Sequence, residues 1–426
     1  MNVLFLFILC ILGNVYSEAL SLHDAQQAMF DNNSDLKAAS LEINRMQYAL
    51  KESRASLYPS LDLSGGVTYF SEKGEVTINI PPIMRTIETS RNDRIETGID
   101  CSYPIFTGFA RTNAIKGARA AIQQKQAALR IARNRASFAL ARIYCQMDFF
   151  TRSLLTVRKR ITTLERHLEQ VNVLRESGVA TTTQVLEVKS KLLNTQVDLA
   201  GTLAAIDSLR REVIYLTAMK DPFCMPEENC EFLDSLAIPA AIDSQRAELE
   251  SISAALNQFD ASMNVIESKK FPLVAATAGY RYGRPGLNGN SDDFMGYFIA
   301  GVQIRFNLFD GFKTSSQSRQ AALNKDIIKQ NREGSIDAWN NVLANCHHQN
   351  IFLKEKIEAA QLSIEAARSL VQSSKEQFDA GQLTQIEYLN ALDNDAVAEL
   401  RLEQARFERR LIILTGIYIS GKDLTF

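Results

Sequence analysis

The chain has 426 residues, of which 46% are hydrophobic and 23% are charged, and its formal net charge is −2. This nearly neutral balance offers no electrostatic basis for binding a polyanion, so nucleic acid is excluded as an expected partner. Aromatic residues make up 8% of the chain and it contains only 20 Gly and 9 Pro, a composition that favours a helix-rich protein.

The N-terminal segment predicts export from the cytoplasm. Its predominantly apolar run, Val3 to Val15, is too short for a membrane-spanning helix, which needs about 20 apolar residues. The small residue Ser17 follows shortly after, so we predict a signal peptide over residues 1–17 that is cleaved near Ser17. The usual basic n-region is missing, and a buried N-terminal helix stays open as the alternative.

The remainder of the chain is a duplication. The segment Tyr103–Phe109 (YPIFTGF) recurs as Phe306–Phe312 (FNLFDGF), an offset of 306 − 103 = 203 positions, and Gly178 recurs as Gly381 at the same offset. We therefore predict a first repeat over residues 18–220, a proline-bearing linker over 221–243 and a second repeat over 244–426.

Each repeat is expected to contain a very long helix. From Ala118 to Ser177 there is no Gly or Pro, and apolar residues recur in alternating steps of three and four between Leu140 and Val171. This heptad pattern predicts a packed helix of about 105 Å. The corresponding positions of the second repeat, Leu343 to Ser374, keep the register with smaller and more polar side chains.

A glycine is predicted to end each long helix. Gly178 and Gly381 stand where a residue with positive φ terminates a helix, and Thr182 or Thr183, and Thr384, can cap the helices that return. We therefore expect two antiparallel helical hairpins, over residues 108–217 and 311–418.

Four segments alternate between apolar and polar residues and are predicted to be strands: residues 61–70, 94–104, 273–282 and 297–307. Each has about 10 residues, with one apolar and one polar face, as in transmembrane barrels. The loops 71–93 and 283–296 are expected to be polar and extracellular. Because four strands cannot close in lipid without unpaired edges, three chains forming twelve strands are predicted.

The cysteine and histidine residues predict no metal site. Cys224 and Cys230 can pair in an oxidising compartment or stay reduced. His347 and His348 are adjacent on a predicted helix and point about 100° apart. Cys346 falls on the apolar seam, so a packed thiol is expected there. No catalytic motif is present. We predict neither a metal, nor a cofactor, nor an enzymatic activity.

Several segments together resemble the TolC-like outer membrane factors of Gram-negative bacteria. They are Leu22-His23-Asp24-Ala25, Asn32-Asn33, Tyr58-Pro59-Ser60-Leu61, Tyr103–Gly108, Phe378-Asp379-Ala380-Gly381 and the tail from Thr384 to Tyr418, with Leu389, Ala391, Leu392 and Ala405-Arg406-Phe407. The resemblance implies a mainly α-helical protein with transmembrane β-strands. It implies a homotrimer whose twelve-stranded barrel lies in outer-membrane lipid above a periplasmic helical tunnel.

The same resemblance implies a function. The channel would be the passive exit duct of a tripartite efflux or type I secretion system, for small molecules or polypeptides. A periplasmic adaptor (membrane fusion protein) would connect it to an inner-membrane pump of the RND, ABC or MFS type, which supplies the energy. Its expected location is the outer membrane of a Gram-negative bacterium, with an extension into the periplasm.

Functional residues are carried over from the family by position. Phe378, Leu383, Glu387 and Asn390 correspond to the periplasmic constriction, where three copies of Glu387 would form a ring of negative charge. Many relatives have Arg at the Leu383 position and Asp at the Asn390 position, so a latch through that Arg is not expected. The adaptor-contact tips correspond to Gly178, Val179, Ala180 and Thr181, and to Gly381, Gln382 and Thr384.

The alternative function is a periplasmic coiled-coil structural or adaptor protein. Adaptors also contain a long helical hairpin, but they have a single hairpin and no paired amphipathic strands. A structural coiled coil would not need two pairs of strands. The duplication therefore favours the channel.

Overall fold

The computed structural model describes residues 20–219, 230–287, 289 and 291–426. The predicted signal peptide and Cys224 lie outside these residues. The helices are α1 Leu22–Asn32, α2 Ser34–Ala55, α3 Ala110–Glu176, α4 Thr182–Thr217, α5 Ala247–Glu267, α6 Lys313–Asp379 and α7 Gln385–Ser420, with short 3₁₀ helices at Cys230–Ser235 and Ser268–Lys270. The strands are β1 Ser60–Tyr69, β2 Glu75–Ile80, β3 Ile83–Glu88, β4 Asp93–Phe106, β5 Leu273–Arg284 and β6 Met295–Arg305.

The order of these elements confirms the predicted fold class. Each half of the chain contains a helix, a pair of long strands, a helix of 67 residues and a returning helix of 36 residues. The chain divides into a helical unit, formed by the described residues of Met1–Leu41, Ala127–Leu249 and Arg332–Phe426, and a strand unit, formed by Glu42–Gln126 and Glu250–Asn331.

The segment 71–93, which the sequence predicted to be a polar loop, contains a β-hairpin instead. Strands β2 and β3 pair antiparallel, with Ile80 opposite Ile83 across the turn. The physical reason is visible in the alternation of β-branched residues, Val76, Ile78 and Ile80 on one strand, on either side of two prolines that cannot continue a strand. Every residue of both strands is exposed.

The core of the helical unit follows the predicted heptad seam. Leu140, Ile143 and Val171 of α3 are fully buried, and Leu343 and Ile364 of α6 are 3% and 7% exposed. Since the second seam carries Ala367 and Ser374 where the first has Leu164 and Val171, it buries smaller side chains at the same register.

The strand unit contains one antiparallel sheet in the order β1-β4-β5-β6. One face is apolar and exposed in the single chain, with Leu63 80%, Val67 76% and Val302 65% exposed. On the other face, Arg281 donates to Asp100 Oδ1 and Ser64 Oγ, both at 2.8 Å. Within the described residues β1 and β6 each pair on one side only. None of the described helices is long and apolar enough to cross a membrane.

Candidate functional site: the ends of the helical hairpins

Both helical hairpins turn through the same backbone geometry. Gly178 and Gly381 have φ of +79° and +73°, the left-handed region that glycine adopts without a steric penalty. The N–H of Val179 donates to the Leu174 carbonyl at 2.9 Å, and the N–H of Gln382 donates to the Gln377 carbonyl at 2.8 Å. These bonds satisfy carbonyl groups that the ends of α3 and α6 would otherwise leave without partners.

The returning helices start with matching capping boxes, and the first cap is Thr181 rather than the predicted Thr182 or Thr183, which are the first two residues of the helix. In the first hairpin the Thr181 N–H donates to Gln184 Oε1 at 2.7 Å, and the Gln184 N–H donates to Thr181 Oγ1 at 3.3 Å. In the second, the Thr384 N–H donates to Glu387 Oε2 at 2.9 Å and the Glu387 N–H to Thr384 Oγ1 at 3.4 Å. The side chain that completes the capping box is therefore a neutral amide in the first turn and a carboxylate in the second.

The Glu387 side chain is consequently both exposed and hydrogen-bonded. The hydroxyl and then the N–H of Thr384 donate to its carboxylate and hold the pKa of Glu387 below its ordinary value. Glu387 thus carries a full negative charge at neutral pH, close to the positive end of the α7 dipole. Asn390, three residues further along the same helix, is also exposed.

An aromatic cluster joins the two hairpins. The rings of Phe378 and Tyr388 stack with their centroids 5.5 Å apart, and His167 of α3 meets both rings edge-on at 5.5 and 5.1 Å. His167 is 4% exposed, and its Nε2 atom has no hydrogen-bond partner among the described residues. Burial lowers the pKa of His167, against an opposing contribution from Asp379. The imidazole is therefore neutral at neutral pH.

One carboxylate connects three helices. Asp393 of α7 accepts from Arg160 of α3 through one oxygen and from Lys191 of α4 through the other. Arg160 and Asp393 are 22% and 24% exposed, so this pair is only partly screened by water. Asp393 thereby ties the second hairpin to both helices of the first.

A second carboxylate repeats this arrangement further along α7. Glu399 accepts from Lys159 of α3 at 2.8 Å and from Arg368 of α6 at 3.0 Å. Its side chain is 13% exposed, whereas both of its cationic partners are largely exposed. The two ion-pair groups place acceptors on α7 and donors on the three other helices of the hairpins.

Polar and apolar contacts also join the two returning helices directly. Gln385, which is 4% exposed, donates its side-chain amide to the Gln184 carbonyl at 2.7 Å. Leu389 of α7 lies in one buried cluster with Val185 and Val188 of α4 and Leu164 of α3. The starts of α4 and α7 are therefore packed against each other.

The residues predicted for the constriction occupy different environments. Phe378 is half-buried in the aromatic cluster, Leu383 is half-buried in the turn, and Glu387 and Asn390 are exposed side by side. The turn residues Gly178, Val179, Thr181, Gly381, Gln382 and Thr384 are exposed and Ala180 is half-buried. His167, Tyr388, Gln385 and Asp393 were missed by sequence reasoning, because their partners lie far away along the chain.

Comparison with known proteins shows to which family the chain belongs. The family model for outer membrane efflux proteins matches residues 25–214 and 239–412. The chain belongs to the outer membrane efflux protein family. It is 23% identical to outer membrane protein TolC of Vibrio cholerae serotype O1 over 439 aligned positions, which cover 96% of this chain and 93% of that protein.

Solved structures of outer-membrane channels share the fold. This chain superimposes on CusC with a TM-score of 0.80 at 16% identity, and the match covers 95% of this chain and 93% of the CusC chain. For the open state of the Neisseria gonorrhoeae MtrE outer membrane channel the TM-score is 0.75 at 16% identity, with coverages of 95% and 90%. As a member of this family the protein resides in the outer membrane of a Gram-negative bacterium, and the alternative of a periplasmic adaptor is set aside.

Proposed function

We propose that this protein is the outer-membrane channel of a tripartite export system, either an efflux system or a type I secretion system. The observation that carries the proposal is the sheet β1-β4-β5-β6, whose apolar face is exposed and whose outer strands each lack one neighbour among the described residues. In lipid, such edges would leave backbone groups unsatisfied at a cost of several kcal/mol each. Three copies of the chain would close a twelve-stranded barrel and satisfy them.

The hairpin ends are the proposed periplasmic gate. In a trimer, Glu387 would be present three times around one axis, and Phe378, Leu383 and Asn390 are the other proposed constriction residues. A ring of carboxylates at a constriction attracts cations and binds divalent ions. The ion pairs at Asp393 and Glu399 hold α7 against the other hairpin helices, which supports their role in maintaining the closed arrangement.

The turns themselves are the proposed docking surface for a periplasmic adaptor. Val179 is 74% exposed although it is apolar, and it stands beside Gly178, Ala180 and Thr181. The second turn offers Gly381, Gln382 and Thr384 in the same backbone geometry. The adaptor would link the channel to an inner-membrane pump of the RND, ABC or MFS type, because the family consists of channels rather than enzymes and the chain would need an external energy source.

Site-specific photo-crosslinking tests the docking surface. A photoreactive amino acid at Val179 should crosslink the channel to an adaptor in intact cells. The same amino acid at Val197, which is 70% exposed on the flank of α4, should crosslink to it much less and serves as the control. Equal crosslinking at both positions, or crosslinking at neither, would remove the turns from the docking surface.

Trimer formation and export are tested separately. The purified outer-membrane protein should run as a trimer on gels before heating and as a monomer afterwards. A deletion strain should lose export of at least one compound or polypeptide, and the intact gene should restore it. A monomer under native conditions would contradict the proposed closure of the barrel.

A further inference from the structure

Two cysteines from distant parts of the sequence meet inside the helical unit. Cys145 lies in α3, and Cys230 begins the 3₁₀ helix Cys230–Ser235 of the inter-repeat segment. Each is 2% exposed, and both belong to one apolar cluster that includes Tyr144 and Leu233. The Cys230 thiol is close enough to Cys145 to affect its ionisation, and both cysteines are free thiols in the structure.

An ion-pair network fixes the 3₁₀ helix beside Cys145. Asp234 accepts from Arg410 of α7 at 2.7 Å and from Arg409 at 3.1 Å. Arg410, whose side chain is 5% exposed, also donates to Asp148 of α3 at 2.5 Å. Asp148 is one helical turn from Cys145 on the same helix, so these contacts hold Cys230 against Cys145 independently of the thiols.

A neighbouring contact strengthens this attachment. Arg152 of α3 donates to Glu231 at 2.8 Å and to Asp148 at 3.1 Å. Glu231, which follows Cys230, is therefore tied directly to α3, and Asp234 is tied to α3 through Arg410, which limits how far the two sulfur atoms can separate.

We propose that Cys145 and Cys230 form a disulfide bond in the mature protein, which ties the inter-repeat segment to the first long helix. An outer-membrane protein crosses the periplasm, where disulfides form and persist. The oxidant is a thiol oxidase of that compartment that carries a reactive disulfide. One cysteine thiolate attacks this disulfide and releases the first thiolate of the oxidase. The second cysteine thiolate then attacks the mixed disulfide, and the oxidase leaves as a dithiol with both electrons.

The order of folding events follows from the burial of the pair. The neighbouring Cys230 thiol, together with burial, raises the pKa of Cys145 well above its ordinary value. Because the thiolate is the reactive form, the packed pair reacts slowly. We therefore place the oxidation on the partly folded chain, before the helices close over the thiols, and we expect the finished bond to resist reductants under native conditions.

This pairing excludes the Cys224–Cys230 bond that the sequence analysis left open. Cys230 is six positions from Cys224 but 85 positions from Cys145. Cys346 lies in a different apolar cluster, with Ile238, Leu343 and Ile413, and Cys101 lies in β4 of the strand unit. Closing a long loop restricts the unfolded chain more than closing a short one, so the 145–230 bond would also stabilise more.

Differential alkylation tests the proposal directly. The full chain is purified from the outer membrane and denatured, its free thiols are blocked with one reagent, and thiols released by reduction are labelled with a second. Peptide mapping should find the second label on Cys145 and Cys230 and the first on Cys101, Cys224 and Cys346. The first label on Cys145 overturns the proposal, whether Cys230 is then free or paired with Cys224.

Three matched variants extend the test. Cys224→Ser should leave the second label on Cys145 and Cys230, whereas Cys145→Ser should remove it from Cys230. Cys346→Ser, a buried thiol in the separate cluster, controls for losing any buried cysteine. In addition, a strain without the periplasmic thiol oxidase should yield protein with the first label on both cysteines. Loss of the Cys230 label in Cys224→Ser would show the alternative pairing and contradict the proposal. None of these readouts depends on export activity.

Discussion

The two hairpin turns have the same backbone and different chemistry. Offset by 203 positions, Gly178 matches Gly381, Thr181 matches Thr384 and Gln184 matches Glu387. Both turns use a glycine of positive φ and a threonine capping box. Both copies of the turn have therefore kept the interactions that build it. The acceptor at the third position of the returning helix is neutral in the first copy, Gln184, and charged in the second, Glu387.

The contacts behind the turns diverge further. The positions of the second repeat that match His167 and Val185 are Leu370 and Tyr388, so the aromatic cluster draws one member from the first repeat and two from the second. The ion pairs are similarly one-sided, because both acceptors, Asp393 and Glu399, belong to α7. The second hairpin thus supplies the carboxylates that pair with cations of the first hairpin. Its long helix also has smaller side chains along the heptad seam. We infer that α7 is the helix whose position responds most to mutation.

Removing the Asp393 charge should break this arrangement most strongly. In Asp393→Asn the amide cannot neutralise Arg160 and Lys191, and the buried Nε of Arg160 already lacks a partner within the part of the chain that the structure describes. We expect a loss of about 2–3 kcal/mol of stability at the hairpin ends, typical of hydrogen bonds to charged groups. In planar bilayers the variant should show a higher conductance than the parent channel.

Asp207→Asn is the matched control for Asp393. Asp207 pairs with Arg211 within α4, and the two side chains are 53% and 78% exposed. Exposed pairs within one helix contribute less than about 1 kcal/mol. The conductance of Asp207→Asn should equal that of the parent channel. If both variants behave alike, Asp393 does not hold the proposed closed arrangement.

The charge difference between the turns is tested by Glu387→Gln. Glutamine at this position completes a capping box in the first turn, so the substitution removes the charge and keeps the helix start. Block of the channel by divalent cations should weaken. Gln184→Glu adds a carboxylate to the first turn and should not weaken the block. Glu387→Ala loses cap and charge together, so an effect seen only in the alanine variant would assign Glu387 to the helix start alone.

Much of the fold was predictable because it is encoded by local patterns. The alternation in 94–104 and 273–282 predicted β4 and β5, and the glycines at 178 and 381 predicted where α3 and α6 end. The capping box at Thr384 has a sequence signature too, a threonine followed three positions later by glutamate. The β2–β3 hairpin was missed since its strands are fully exposed and their segment was classified as a polar loop.

The site was less predictable because its contacts join distant residues. Arg160 and Asp393 are separated by 233 positions, and His167 meets a tyrosine from the other repeat. The family resemblance named Phe378 but could not indicate that its ring stacks on Tyr388. No local pattern pairs Cys145 with Cys230. Such contacts depend on how the four hairpin helices pack, which periodicity alone does not specify.

Acid should weaken the aromatic cluster through His167. Its pKa is lowered in the folded protein, so the unfolded chain binds a proton first as the pH falls below about 6.5. The free energy of unfolding should therefore decrease as the pH falls from about 6.5 to the lowered pKa, and it should level off below that pKa. The total loss is about 1.4 kcal/mol for each pH unit by which the folded and unfolded pKa values of His167 differ. Thermal unfolding followed between pH 5 and 8 measures this slope.

Two variants isolate the contribution of His167. His167→Phe keeps an aromatic ring against Phe378 and Tyr388 but cannot be protonated, so the acid-dependent loss should shrink. His348→Gln removes an exposed histidine of α6 and should leave the loss unchanged. Asp379 opposes the effect of burial on the pKa of His167. If the pH dependence of stability is unchanged in His167→Phe, groups other than the aromatic cluster cause the acid sensitivity.

The smallest effects are expected at the turn glycines, where the two hairpins should respond equally. No atom of the described residues lies within 4 Å of a Cβ added at Gly178 or Gly381, so alanine meets no obstacle there and the cost is only that of a positive φ. That cost is about 1 kcal/mol for each substitution. Gly201→Ala, at an open position inside α4, should instead stabilise by about 0.5–1 kcal/mol. Thermal unfolding of the three variants measures the signs. Unequal losses at the two turns would contradict this expectation and would point to a contact from outside the chain at one turn, such as a neighbouring copy in the proposed trimer, since a Cβ at either glycine has the same open surroundings among the described residues.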